Sequence, residues 1–312
     1  MKITNKFGMP QPFVDFAIND KYSKGKADIS VTSLIDSPRV RTMKDHYNDL
    51  IEVDAVDMVW ALFGTAVHSV LESSNTYSRV GHPSDKIINE ERLYSKVNGW
   101  TLSGAIDRQE INNDVLTIVD YKVTSAWSVI FGKPEWENQL NCYAYLCKQK
   151  YLNTNIKVGS LKICAILRDW NRREAERKED YPQAPIVFVN ITLWDDDKLD
   201  SYISRRISEH QDAQVNYDID GSFPLCTNDE RWRKKNSWAV KKVKLKRALK
   251  VFGDEASALI FQKEYQKHRL HENDRTEIEF RGGEYTRCQG NYCSVAEWES
   301  KNEAKKNIRY KA

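Results

Sequence analysis

Apolar positions along the first two-thirds of the chain change period several times. Between Val56 and Ser73, Val59, Leu62, Phe63, Val67, Val70 and Leu71 recur at helical spacing, which predicts a helix with one apolar face. The stretch before it, from about residue 30, also reads as helical: Ser33 or Asp36 can open a helix, and Pro38 suits a first turn. The period then drops. Glu91–Val97, Thr101–Gln109 and Val115–Val123 alternate or run apolar as strands do, with Asn112-Asn113-Asp114 as a turn before the last. Trp136–Lys150, after Pro134, returns to helix. Val158–Leu167 and Ile186–Trp194 read as strands on either side of the charged stretch Arg168–Pro185, and Asp195–Gln211 reads as helix. Such alternation predicts an α/β fold, a mixed central sheet flanked by helices. Cys142, Cys147 and Cys164 fall in these core elements and read as small apolar fillers. Gly221–Pro224 marks a boundary between a core over 1–222 and an appendage over 223–312. In the appendage, Trp238–Val240 and Ala248–Phe252 read as two small strands covered by a helix at Asp254–Lys267.

Composition narrows the class. At 312 residues, 40% hydrophobic and 11% aromatic, the chain can bury a sizeable core and is not disordered. No apolar run approaches the ~18–20 residues of a membrane span. Met1–Pro12 is too polar for a secretory leader, and six cysteines are too few for a disulfide scaffold, so a reducing, cytoplasmic location is expected. The net charge of +3 hides a split: 27 basic against 32 acidic residues over 1–222, and 21 against 13 over 223–312. An acidic body with a basic appendage is the pattern of a protein that meets a polyanion.

The densest local chemistry lies in Ile118-Val119-Asp120-Tyr121-Lys122, an apolar strand ending in a carboxylate with a lysine two residues on. Period-2 geometry puts Asp120 and Lys122 on one face. Asp107 lies on the preceding strand. With Asn112-Asn113 as a two-residue turn, Asp107 pairs with Ile118 and shares the face of Asp120, one diagonal step away. A three-residue turn would break that parity. Two carboxylates and an ammonium suit Mg²⁺-assisted phosphoester cleavage, and an ordinary surface ion pair is the alternative. On predicted helices, His68 and Glu72 share one face, as do Gln139 and Tyr143.

Gly64-x-x-x-His68, Gly104-x-x-Asp107, Asp120-Tyr121-Lys122 and Gln139-x-x-x-Tyr143 follow one another in order. This series resembles that of RecB-type exonucleases in the PD-(D/E)XK nuclease superfamily, over roughly residues 30–210. The resemblance implies a restriction-endonuclease-like core. It implies Mg²⁺ or Mn²⁺ bound by His68, Asp107, Asp120 and the backbone carbonyl of Tyr121, with Lys122 as catalytic lysine. Gln139 and Tyr143 would steady the lysine and contact the DNA strand, and Glu72 and Glu91 would be structural.

The chain departs from that family in its cysteines. Several relatives, the CRISPR-adaptation nucleases among them, hold an iron–sulfur cluster on four cysteines. Ser37 stands here where the first would be, and the tail supplies Cys288 and Cys293 without a third, so a four-thiolate cluster is not expected. Zinc on Cys226, Cys288 and Cys293, with His268 or His271, has suitable residue types but no standard spacing. Cluster-free relatives include the mitochondrial genome maintenance exonuclease, which prefers single strands, and this turns the expected substrate towards single-stranded DNA or DNA ends.

Arg231–Lys250 holds ten Lys/Arg and no acid. Arg231, Arg233, Lys234, Lys235, Lys241 and Lys242 are candidate phosphate contacts there, and Trp232 or Trp238 could stack on an unpaired base. The loop with Arg168, Trp170, Arg172 and Arg173 is a second candidate DNA contact. The first functional expectation is a metal-dependent DNA exonuclease of recombination, repair or replication, in a compact layout that suits a phage. A structure- or site-specific endonuclease and a non-cutting DNA-binding module are the alternatives.

Overall fold

The computed structural model describes residues 1–19, 25–72, 86–267, 275–290 and 292–296. They fall into two compact units, Met1–Pro224 and Leu225–Ala312.

The first unit runs β1 (Lys2–Thr4), α1 (Gln11–Asn19), β2 (Ile29–Ser30), α2 (Val31–Ile35), α3 (Pro38–Tyr47), β3 (Glu52–Asp54) and α4 (Val59–Glu72). It continues with β4 (Lys86–Val97), β5 (Trp100–Asn112), β6 (Val115–Thr124), α5 (Ala126–Phe131), α6 (Pro134–Lys150), β7 (Lys157–Leu167), α7 (Arg172–Ala175), β8 (Ile186–Ile191) and α8 (Asp196–Asp220). The main sheet has the order β2-β5-β6-β7-β8, with β4 also paired to β5. It is mixed, because β6 and β7 run parallel across a helical connection while β4, β5 and β6 form antiparallel hairpins. The expected mixed sheet flanked by helices is therefore present. Helix α6 supplies Leu140, Tyr143, Ala144 and Leu146 to the core, against Leu102, Ile106, Leu116, Ile118 and Leu161 of the sheet.

Hairpin chemistry sets the register. Asn98 and Gly99 both have positive φ, the backbone of a two-residue primed turn, and they pair Val97 with Trp100. Asn113 and Asp114 do the same and pair Asn112 with Val115. The second turn is thus one residue later than the Asn112-Asn113 turn expected from sequence. Carried along the strands, that register sets Asp107 opposite Asp120 rather than opposite Ile118. The shift is two pairing steps, so the two carboxylates keep a common face.

One edge of β5 is divided. Strand β2 pairs with it at Leu102 and Ser103, and β6 pairs with it from Arg108 to Asn112. Between these lies Gly104–Asp107, where β5 and β6 part.

Elements of two or three residues (β1, β2 and β3) carry too little periodicity to be read from sequence. α1 was not anticipated either. The apolar face expected on α4 is not buried: no residue of this helix is, and Phe63 and Val70 are exposed. Ser73, the expected helix end, lies outside the described residues.

The second unit has a sheet of order β10-β9-β11, from β9 (Ser237–Lys242), β10 (Ala248–Phe252) and β11 (Thr276–Arg281), plus α9 (Glu255–Lys267) and α10 (Thr286–Gln289). α9 packs on all three strands. Sequence reading missed β11, whose Glu277, Glu279 and Arg281 make it look like a solvated loop.

Candidate active site

The parting of β5 and β6 leaves backbone groups without ladder partners, and side chains of the site take their place. The Tyr121 N–H donates to Asp107 Oδ2 (2.7 Å). His68, projecting from α4, sets Nε2 3.2 Å from the Tyr121 carbonyl. Its Nδ1 lies 3.4 Å from Asp107 Oδ1 and 3.4 Å from Glu90 Oε1. Glu90, on β4, has φ +48° and stands opposite Asp107 in the β4–β5 register. His68, Glu90 and Asp107 each present one ligand atom, and all three atoms lie within 4.8 Å of one another.

Asp120 is buried deeper and is held by other partners. Lys122 Nζ lies 2.7 Å from its Oδ2 as an ion pair, and Gln139 Nε2 donates to Oδ1 (3.3 Å). Gln139 also donates to the Tyr143 hydroxyl (2.7 Å). Gln139 and Tyr143, expected beside the lysine, thus brace the carboxylate that the lysine pairs with. Both are buried, and they project from consecutive turns of α6.

Gly104 explains how α6 comes so close. A Cβ there would lie 2.8 Å from both Tyr143 Cε1 and Leu146 Cδ1, too near for either to stay. The glycine lets α6 press its Tyr143 turn onto β5 beside the carboxylates.

These groups face a cleft of about 460 Å³, lined also by Ser30, Gly64, Glu72 and Arg92. Burial pushes the Asp120 carboxyl up to about 6; Asp107 adds to the rise, and Lys122 and His68 oppose it. Burial works against the Lys122 ammonium, but Asp120 and Asp107 outweigh it and raise its pKa. Hydrogen bonding to Asp107 and then Glu90 pushes His68 up to about 10. Both its ring nitrogens face oxygen acceptors.

The donor set fits a hard divalent cation. Two carboxylates, an imidazole and the nearby Tyr121 carbonyl offer mostly oxygen ligands, and cation binding through His68 would expel its proton. Glu90 joins this group although no motif in the sequence marks it. Glu91 points elsewhere, accepting from Gln109 Nε2 (2.7 Å) and Lys150 Nζ (2.7 Å). Arg92, which no motif in the sequence marks either, donates to Ser103 Oγ (3.3 Å) at the cleft wall.

The expected nucleic-acid contacts fare unevenly. Trp170 donates Nε1–H to the Pro182 carbonyl (2.8 Å) and packs on the core. The Arg168 guanidinium stacks over Trp60 at 4.0 Å, Arg172 lies 3.9 Å from Glu176, and Arg173 is exposed. In the second unit, Lys241 is bridged to Glu277 (3.2 Å) and Glu279 (2.6 Å), because β11 lays acids directly beside it. Arg231 and Arg233 approach the Tyr285 ring, at 3.4 and 5.8 Å. Trp238 packs on Phe280, and Trp232 on Tyr292 and Arg287. Lys234 and Lys235 are exposed, whereas Lys242 is half-buried.

Burial pushes the thiols of Cys142 and Cys147 up to about 12, which suits filler rather than ligand. Cys226, Cys288 and Cys293 are half-exposed, and among the described residues they join no group of converging ligands. His268 and His271 lie outside the described residues. Ser37 is buried at the N-terminal boundary of α3, where its carbonyl accepts from the Arg41 backbone N–H (3.1 Å).

The model of the PD-(D/E)XK nuclease superfamily matches residues 80–298, and the chain belongs to that superfamily. This places it among nucleases that use divalent metals. The match contains Glu90, Asp107, Asp120, Lys122, Gln139 and Tyr143, and His68 precedes it. Among solved structures, that of SSO0001 is similar with TM-score 0.42 and 18% identity, covering 64% of this chain and 82% of that one. Comparison with curated proteins gives no match. Among the described residues, no helix is long and apolar enough to cross a membrane.

Proposed function

We propose that this protein is a RecB-type, metal-dependent DNA exonuclease that hydrolyses phosphodiester bonds in single strands or at DNA ends, in recombination, repair or replication. The observation that carries the reading is the Asp120–Lys122 pair beside His68, Glu90 and Asp107 in one open cleft. His68, Glu90 and Asp107 would hold Mg²⁺ or Mn²⁺, with the Tyr121 carbonyl and Asp120 adjacent. When bound, the cation would polarise the scissile phosphate and acidify a water. Lys122 orients the attacking water and offsets negative charge as it builds on the phosphorus oxygens. Asp120 holds the lysine charged and in place, and Gln139, braced by Tyr143, fixes Asp120. Arg92 offers a cation to the substrate phosphate.

A gel assay tests this. Linear single-stranded, linear double-stranded and closed circular DNA are incubated with Mg²⁺, Mn²⁺ or chelator, beside Lys122→Ala. Loss of linear DNA alone, only with metal and only with Lys122, is expected; removing the lysine should cost roughly 10²–10³-fold or more. Cutting of circles would favour a structure- or site-specific endonuclease. DNA binding with no cutting would favour a non-catalytic module. Unchanged cleavage by Lys122→Ala would sink the site assignment.

A further inference from the structure

Two pairs of aromatic rings lie bare, one on the helix that carries His68 and one just past the strand that carries Lys122. On α4, Trp60 and Phe63 are 52% and 49% exposed with centroids 5.7 Å apart. On α5, Trp127 and Phe131 are 56% and 77% exposed, stacked with their planes within 10°. Leaving four large rings in water is unfavourable, and exposed apolar groups gathered in this way mark contact surfaces.

The pairs belong to one surface tied to the catalytic groups. Trp60, Gly64 and His68 are spaced four residues apart on one face of α4. Gly64 lines the cleft and His68 is in the ligand group. Trp60 is therefore ~12 Å along the helix axis from His68, at 1.5 Å rise per residue. From the other side, β6 ends two residues past Lys122 and α5 begins at Ala126. Arg168 joins the two sides: it stacks over Trp60, and its N–H donates to the Thr124 carbonyl (2.9 Å). Next to it, Asp169 Oδ1 accepts the N–H of Ala126 (2.7 Å), the first residue of α5.

We infer that Trp60, Phe63, Trp127 and Phe131, with Arg168, form a stacking platform for the unpaired bases of a single-stranded nucleic acid leading into the cleft. Flat rings beside a cation at the mouth of a phosphodiester-cleaving site match a strand that alternates planar bases with phosphates. A duplex keeps its base faces covered and would gain little from such rings. The inference rests on the nuclease reading for the direction of the strand.

The test is binding of the full chain, in chelator, to a labelled oligothymidylate of about twelve nucleotides and to closed circular duplex. Trp127→Ala/Phe131→Ala should weaken oligothymidylate binding about tenfold or more, leave duplex affinity within about twofold, and keep the thermal midpoint near wild type. Trp127→Tyr, which keeps a ring, should retain most of the affinity. If the α5 pair proves necessary for folding, Trp60→Ala/Phe63→Ala is read in the same way. Unchanged oligothymidylate affinity would overturn the inference, as would an equal loss on both DNAs. A wild-type dimer that dissociates in the variants would reassign the patch to self-association. Because the assay reads binding without metal, failure of cleavage elsewhere leaves its outcome intact.

Discussion

The cleft of the first unit and the basic face of the second hold charge in opposite ways. In the cleft, few ionisable groups are concentrated where solvent is scarce: Asp120 is 1% exposed, and burial is the leading cause of its displaced pKa. In the second unit cations are numerous but lie near water, and several are occupied by neighbours, Lys241 by two glutamates and Arg231 by the Tyr285 ring. Burial makes a group's partner decisive, whereas exposure makes charges add up weakly and respond to salt. A sequence rich in lysine is therefore a poorer pointer to chemistry than a single aspartate at the end of an apolar strand.

Three experiments bear on that contrast. The largest effect is expected at Glu90. Glu90→Gln should raise the metal concentration needed for cleavage by about 100-fold or more, since even outer partners of a metal ligand cost 10–100-fold. Glu91→Gln, one residue away on the opposite face, should leave the metal requirement unchanged and cost about 1 kcal/mol or less of stability, because its ion pair with Lys150 is partly exposed. A metal titration of cleavage beside thermal melts separates the two; equal metal requirements would remove Glu90 from the ligand group.

A middle-sized effect is expected from Lys234, Lys235, Lys244 and Lys246, all exposed. Changing all four to Gln should weaken single-stranded DNA binding and lower the slope of log affinity against log salt by up to about 3, at roughly 0.7 per phosphate contact. Lys241→Gln alone should scarcely alter that slope, since its charge is already matched. An unchanged slope in the fourfold variant would return this face to a solvated surface.

The smallest effect concerns stability. His210 is buried with Nε2 3.1 Å from the Leu34 carbonyl, and burial, then the neighbouring Arg206, pushes its pKa down to about 3. The unfolded chain binds a proton there below about pH 6.5 that the folded chain refuses. Its contribution is full above that pH and is lost as the pH falls towards 3. His210→Gln should shift the acid-unfolding midpoint to lower pH, read by circular dichroism; an unchanged midpoint would mean another group sets the acid limit.

Much of the site was legible in order. Asp107, Asp120, Lys122, Gln139 and Tyr143 stand on elements whose periodicity is strong, so their faces could be worked out by counting. Glu90 was also within reach. Asn98-Gly99 is a strong two-residue hairpin signal, and counting back from it places Glu90 opposite Asp107. The motif series names no residue at that position, whereas Glu91, expected to be structural, does pair with Gln109 and Lys150. The turn falls at Asn113-Asp114, one residue later than the sequence suggests, because three adjacent residues suit such a turn. The error kept the correct face only because moving a two-residue turn by one position changes pairing by two.

The sequence by itself determined what depends on nearest neighbours: where the period is 3.6 or 2, which side chains share a strand face, and which residue types can bind a cation or carry a proton. Tertiary structure decided what depends on contacts distant in sequence. It brought His68 across from α4 to Asp107, set Gln139 on Asp120 rather than on Lys122, laid β11 against Lys241, and left the apolar residues of α4 half-buried or exposed. Periodicity states which way a side chain faces. Only packing states what it meets there, and the partner decides whether a charge does chemistry, holds the fold or stays in water.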